Sequence, residues 1–264
     1  VVVYDLIDDW SDSALGGSWY QARVESALID RADHLIASAP SLVKSLEARA
    51  GRQVTLVPNA VNARLFDYRR TWSRPTDLPD GPIFEYHGSL YGDWFDWKAV
   101  GRVAEAFPDA SVVLVGDRPP QRPVLPDNVY LLGLRPQTDL AAYLAHTEVA
   151  LIPFALTDTT HAVSPLKVYE YLAMGVRVAA PPLEPLIGLE GVYLNEDLVT
   201  AVKAARSGAR PDPESILKSH SWTARVATLF DVLGWETGQA EIEPVRVVAR
   251  PVRHYPPDQR LLTR

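Results

Sequence analysis

The chain has 264 residues, 47% hydrophobic and 22% charged, enough for a buried core in one large domain or two small ones. Its 26 basic and 33 acidic side chains leave a net charge of −7, which argues against general nucleic-acid binding. There is no cysteine, so disulfides, thiolate catalysis and Cys-bound zinc are excluded, and no apolar run reaches the ~18 residues of a membrane span.

The opening VVVYDLIDDW has no Met and no basic segment of the kind that starts a secretory leader. Residues 1–7 read as a buried strand closed by Asp8 and Asp9, a strand in mid-fold, so further sequence is expected ahead of it. A helix over 19–32, a strand over 34–37, a helix over 40–50 and a strand over 53–57 follow. Ser38 is the expected N-cap of the second helix, and Gly51 its stop. Residues 69–82 are polar with three prolines and read as a linker. The alternation resumes with a strand at 83–87, a helix at 96–107 opened by Asp96, and strands at 111–115 and 129–132. Next come a helix at 136–146, a strand at 148–153 and a helix at 165–174 with Gly175 at its C′ position. Strands at 177–180 and 192–194 and helices at 196–207 and 221–233 complete the series. From residue 234 on, four prolines and five arginines against one aspartate predict an extended or disordered tail.

This alternation predicts an α/β protein with parallel sheets covered by helices on both faces. Ligands in such sheets bind beyond the C-terminal strand ends, at the switch point, so the loops after His87, Val115, Leu132 and Pro153 are the ones to read. In the segment from Ser164 to Gly175, Pro165 suits the first turn of a helix. The free amides and dipole of that end attract phosphate, Lys167 adds a cation, and Glu170 lies three residues on along the same face. A carboxylate so placed can accept both hydroxyls of a ribose. The same pattern also describes a capped amphipathic helix with a Lys–Glu pair.

The segment SPLKVYEYLAMGVRVAA resembles the donor-site helix of GT-B glycosyltransferases of the family 4, or group 1, type. Other blocks match in order: RADHLIASAPSL and VTLVPNAVNARLF at the end of an N-terminal lobe, then YHGSLYGDWFDWKAV, VVLVG and NVYLLGLRPQTDLAAYLAHTEVALIPF in a C-terminal lobe. The resemblance covers residues 1–233. It implies two Rossmann-like lobes, with residues 1–68 the end of an incomplete N-terminal acceptor-side lobe and 83–220 a nucleotide-sugar-binding lobe. Residues 221–233 form a C-terminal helix. It further implies that Glu170 binds the donor ribose and that the loop of Ser164, Pro165, Leu166 and Lys167 holds the diphosphate. Gly88 and Ser89 would form the turn the donor phosphates approach, and Leu134 and Arg135 the turn that contacts the base.

The match has departures. The family's E-x7-E pair lacks its first glutamate, because Ala162 stands there, and that glutamate is the one assigned to the sugar. Relatives carry an Arg after the turn glycine and a Lys further on, where this chain has Ser89 and Phe95; Lys98, Arg118, Arg135 and Lys167 are the cations that can compensate. Asp8 and Asp9 stand where similar enzymes face the transferred sugar, and they equally suit an acceptor hydroxyl or a turn cap. His161 precedes the donor helix, close enough in sequence to touch sugar or phosphate, or to lie on the surface. Trp94 and Trp97 read as packing residues ahead of a sugar platform. Asp117 follows a strand as in dinucleotide folds, but G-x-G-x-x-G is absent. No residue set has metal-ligand spacing, and neither a Walker loop nor G-x-S-x-G occurs.

The expected activity is transfer of a hexose from a nucleotide diphosphate sugar to a sugar, lipid-linked or small-molecule acceptor, with retention and without metal or other cofactor. A non-catalytic nucleotide-sugar-binding module and a GT-B nucleotide-sugar epimerase are the alternatives. No nucleic-acid partner is expected, and the expected location is the cytoplasm, with or without peripheral membrane contact.

Overall fold

The computed structural model describes residues 1–12, 17–117 and 124–235. Arg118 and nearly all of the expected tail lie outside the described residues.

Three strands, β1 (Val3–Leu6), β2 (His34–Ala37) and β3 (Thr55–Leu56), form a parallel sheet in that order. Helices α1 (Ala22–Arg31) and α2 (Pro40–Ala50) connect them. The core of this lobe gathers Leu6, Ile29, Leu35, Leu42, Leu46 and Val54. The strand expected over residues 1–7 pairs only from Val3 to Leu6, and Val1 and Val2 are exposed. Gly51 ends α2 in the left-handed conformation, φ 63°. Ser38 is not the cap of α2. Its hydroxyl donates to the carbonyl of Ile7 at 2.7 Å, and Ala39 takes the N-cap position with Pro40 behind it. Pro40 has no N–H to satisfy, so the serine is free to tie β2 to the end of β1.

The second lobe is built on β4 (Ile83–His87), β5 (Ser111–Val115), β6 (Val129–Leu131), β7 (Val149–Leu151), β8 (Arg177–Ala180) and β9 (Val192–Leu194). All pair in parallel, in the order β6-β5-β4-β7-β8-β9. The order reverses between β4 and β7, which makes their C-terminal ends the switch point. Helices α3 (Trp97–Ala106), α4 (Gln137–Leu144), α6 (Leu166–Ala173) and α7 (Leu198–Ser207) occupy the expected places. Asp96 caps α3 through the amide of Ala99 at 2.9 Å. Gly175 (φ 72°) closes α6, its amide reaching the Leu172 carbonyl while Val176 N–H reaches that of Tyr171, both at 3.0 Å.

Two short helices were not expected. The single-turn α5 (Asp158–His161) starts on a capping box between Thr157 and Thr160, and α8 (Pro213–His220) starts on Asp212 followed by proline. The last helix, α9 (Trp222–Leu233), returns to the chain between the lobes. Val61 N–H bonds the His220 carbonyl at 2.8 Å, and the buried Arg225 donates through Nε to the Pro58 carbonyl at 2.8 Å. Both lobes are thereby held at residues 58–61.

Candidate functional site

Three turns converge at the switch point. Gly88 N–H bonds the Val115 carbonyl and Gly116 N–H bonds that of Gly133. Gly88 has φ 139°, and a Cβ there would lie 2.8 Å from Lys167 Cε. A Cβ on Gly116 would come within 2.0 Å of the Gly88 carbonyl oxygen. Only glycine allows this approach, which lowers the turn after β4 toward the start of α6. Asp117 braces the same turn by accepting from Leu90 N–H at 2.8 Å, so it is a loop support and not a ribose ligand.

Helix α6 enters after Ser164-Pro165, and its first amides lack intrahelical acceptors. Val168 N–H turns back to the Pro165 carbonyl at 3.1 Å. Lys167 reaches over the rings of Tyr86 (5.3 Å) and Phe154 (5.2 Å). It makes neither a hydrogen bond nor a close ion pair among the described residues. Burial pulls its ammonium down to about 8, against the opposing pull of Glu170. Lys167 lines a cavity of about 210 Å³ between the lobes, together with Asp8, Ser89, Trp94 and Thr159. A cation with no ion-pair contact among the described residues, beside free helix amides, suits an anion.

Glu170 lies one turn deeper and is buried. Its Oε2 is 2.8 Å from His87 Nε2, and its Oε1 accepts from Gln137 Nε2 at 3.0 Å. His87 Nδ1 in turn is 3.1 Å from Glu85 Oε1. Sequence reading missed Glu85, His87 and Gln137. The available signal was a glutamate and a histidine inside the otherwise apolar and aromatic strand IFEYH. Burial alone would lower the imidazole's pKa, but the charge of Glu85 and the hydrogen bonds to Glu170 and Glu85 outweigh it and raise His87 to about 9.

The remaining expected residues are placed as follows. Gly88, Ser89, Lys167 and Glu170 come together at the switch point. Ser164 is buried; its hydroxyl accepts from Asn59 N–H at 3.2 Å and its carbonyl from Asn59 Nδ2 at 2.7 Å, so it also ties the loop to the crossover chain. Leu134 is 73% exposed on the turn after β6. Arg135 turns to Asp77 at 2.6 Å and to the Tyr143 hydroxyl at 3.0 Å. Lys98 is exposed on α3. Asp8 faces the cavity, its pKa raised by burial, whereas Asp9 closes a turn by accepting from Ser11 N–H and Oγ. His161 accepts from Glu184 N–H through Nδ1 at 3.2 Å, and its carbonyl accepts from Ser41 Oγ at 3.1 Å. Trp97 packs on Phe95, while Trp94 reaches the cavity wall. Ala162 is buried with the core of the N-terminal lobe.

No family model matches the chain. A curated relative, TuaH of Bacillus subtilis (strain 168), carries a provisional assignment as a teichuronic acid biosynthesis glycosyltransferase. It is 26% identical over 214 residues, 74% of this chain and 54% of TuaH, so the matched region spans about half the relative's length. Among solved structures, sucrose-phosphate synthase from Thermosynechococcus elongatus superposes with a TM-score of 0.63 at 19% identity, over 88% of this chain and 66% of that one. Anabaena Alr3699/HepE in complex with UDP and glucose superposes with a TM-score of 0.64 at 15% identity, over 88% and 71%. HepE with UDP-glucose gives 0.63 at 16% identity, over the same shares of the two chains. The fold read from the sequence holds in the structural comparisons: the fold of this chain is GT-B.

Proposed function

We propose that this chain carries the donor site of a glycosyltransferase that moves a hexose from a nucleotide diphosphate sugar to an acceptor hydroxyl, with retention. The observation that carries the reading is Lys167, a cation with no ion-pair contact among the described residues, at the start of α6, with the Glu170 carboxylate one turn deeper on the same helix. The diphosphate would lie on Lys167 and the α6 amides, the ribose on Glu170, and the sugar in the cavity that Asp8, Trp94 and Thr159 line. Charge developing on the leaving diphosphate would fall to Lys167 and the helix end, the electrostatic term that dominates such transfers, without metal or other cofactor. HepE's complexes with UDP and UDP-glucose support a uridine donor. An acceptor among sugars, lipid-linked sugars or small molecules, and a cytoplasmic location with or without peripheral membrane contact, belong to the same reading. Among the described residues no helix is long and apolar enough to cross a membrane.

One observation favours a second reading, a module that binds nucleotide sugar without transferring it. Ala162 is packed into the N-terminal lobe, so no carboxylate stands at the position that the family assigns to the sugar. A thermal-shift panel of nucleotide sugars, followed by product analysis with the best binder, separates the two. Ligands that bind the native state raise its melting temperature by mass action. Released or transferred sugar supports the enzyme; binding with an intact donor supports the module; no stabilisation by any nucleotide sugar refutes both.

A further inference from the structure

β4 is a central strand, hydrogen-bonded on both sides, and its side chains are all buried. Besides Tyr86, two of them are ionisable. Glu85 and His87 are two residues apart, hence on one face of the sheet. Over that face lies α6, which presents Glu170 and Tyr171. Both ring nitrogens are held, Nδ1 by Glu85 at 3.1 Å and Nε2 by Glu170 at 2.8 Å, and the His87 backbone N–H donates to the Tyr171 hydroxyl at 3.1 Å. The Tyr171 ring also meets the imidazole edge-on at 4.8 Å. Taking such groups out of water costs several kcal/mol per ion, and an apolar set of the same volume is often no less stable. Among the described residues the second oxygen of Glu85, Oε2, has no hydrogen-bond partner, and the carboxylate bonds only His87, through Oε1.

We propose that His87 is a positioning residue for nucleotide binding, holding the Glu170 carboxylate in the one orientation that receives both ribose hydroxyls, while Glu85 holds the imidazole from behind. The proposal rests on the donor reading of Glu170. A glutamate side chain turns about three bonds, and a vicinal diol needs both of its oxygens placed at once. His87 occupies one acceptor site on Oε2 and Gln137 one on Oε1. One site on each oxygen is left, one per hydroxyl. The ionisable groups facing His87 are Glu85 from its own strand and Glu170 and Tyr171 from α6; Lys167 stands one turn nearer the helix start.

Two variants of similar shape isolate the Glu170 contact. In His87→Gln the side-chain amide reaches the position of Nε2 and still donates to Glu170. In His87→Asn it stops at the position of Nδ1 and reaches only Glu85. Affinities of the whole chain for UDP and for 2′,3′-dideoxy-UDP are measured by calorimetry. The native chain and His87→Gln are expected to prefer UDP by about a hundredfold, the value of two charge-assisted hydrogen bonds at about tenfold each. His87→Asn is expected to lose that preference by weakening UDP alone. If His87→Asn keeps the preference, or weakens both ligands equally, His87 has no positioning role. If the native chain itself shows no preference, the ribose reading of Glu170 fails first. Should His87→Asn not fold, Glu85→Leu/His87→Leu fills the site with apolar volume and takes its place, with the same expectations.

Discussion

The carboxylate of Glu170 stands 2.8 Å from Nε2 of His87, one on a helix and one at the end of the central strand, and both are buried. That contact ties the candidate donor site to the core of the sheet, and it sets how the fold responds to pH and to mutation.

Stability is expected to fall as pH rises from 6.5 to about 8. His87 titrates near 9 when folded and near 6.5 when unfolded, so the native state binds its proton more tightly. Its contribution is whole below 6.5 and is lost as pH rises through about 9. Lys167 has the opposite sign: its folded value is about 8 against 10.5 unfolded, so stability regained above pH 8 offsets the further loss. Chemical denaturation at several pH values checks this. His87→Gln, which cannot titrate, flattens the slope below pH 8.

Binding of a nucleoside diphosphate is expected to take up protons at pH 8. Lys167 is then about half charged, and a diphosphate beside it restores the charge. Calorimetry in buffers of different ionisation enthalpy reads the uptake directly. Lys167→Gln abolishes it, and a heat independent of buffer would place the diphosphate elsewhere.

Replacing Glu170 costs stability as well as binding. Glu170→Ala removes the acceptor of both His87 and Gln137 and leaves the buried imidazole with Glu85 alone. A loss of about 1–3 kcal/mol is expected in the unfolding free energy, in addition to weaker nucleotide affinity. Glu170→Gln keeps the volume and an acceptor, so it is the variant in which binding is measured.

Gly116→Ala is expected to lower the melting temperature more than Gly101→Ala on α3. The first would place a methyl 2.0 Å from a backbone oxygen, whereas the second meets nothing within 4 Å. Because that oxygen belongs to Gly88, whose turn abuts Lys167, Gly116→Ala also weakens diphosphate binding.

The period of the apolar runs made both sheets legible, and the Pro-x-Lys-x-x-Glu spacing located α6, with Lys167 in its first turn and Glu170 one turn on. Local pattern sufficed there because each signal lies within one element. Ser38 misled because its partner, the Ile7 carbonyl, is a tertiary contact. Asp8 and Asp9 are equivalent by composition, yet one faces the cavity and the other folds back on Ser11. Glu85 and His87 were overlooked for a related reason. Their role exists only through Glu170, 83 residues beyond His87, and no local pattern joins a strand to a helix so far along the chain.

The most direct measurement compares the affinities of the native chain and Lys167→Gln for UDP and for uridine. Lys167 at the diphosphate position requires that the variant lose affinity for UDP by about tenfold or more while uridine binds as before, since only the diphosphate meets the cation. Equal losses on both ligands would contradict that placement and reduce Lys167 to a packing residue over Tyr86 and Phe154.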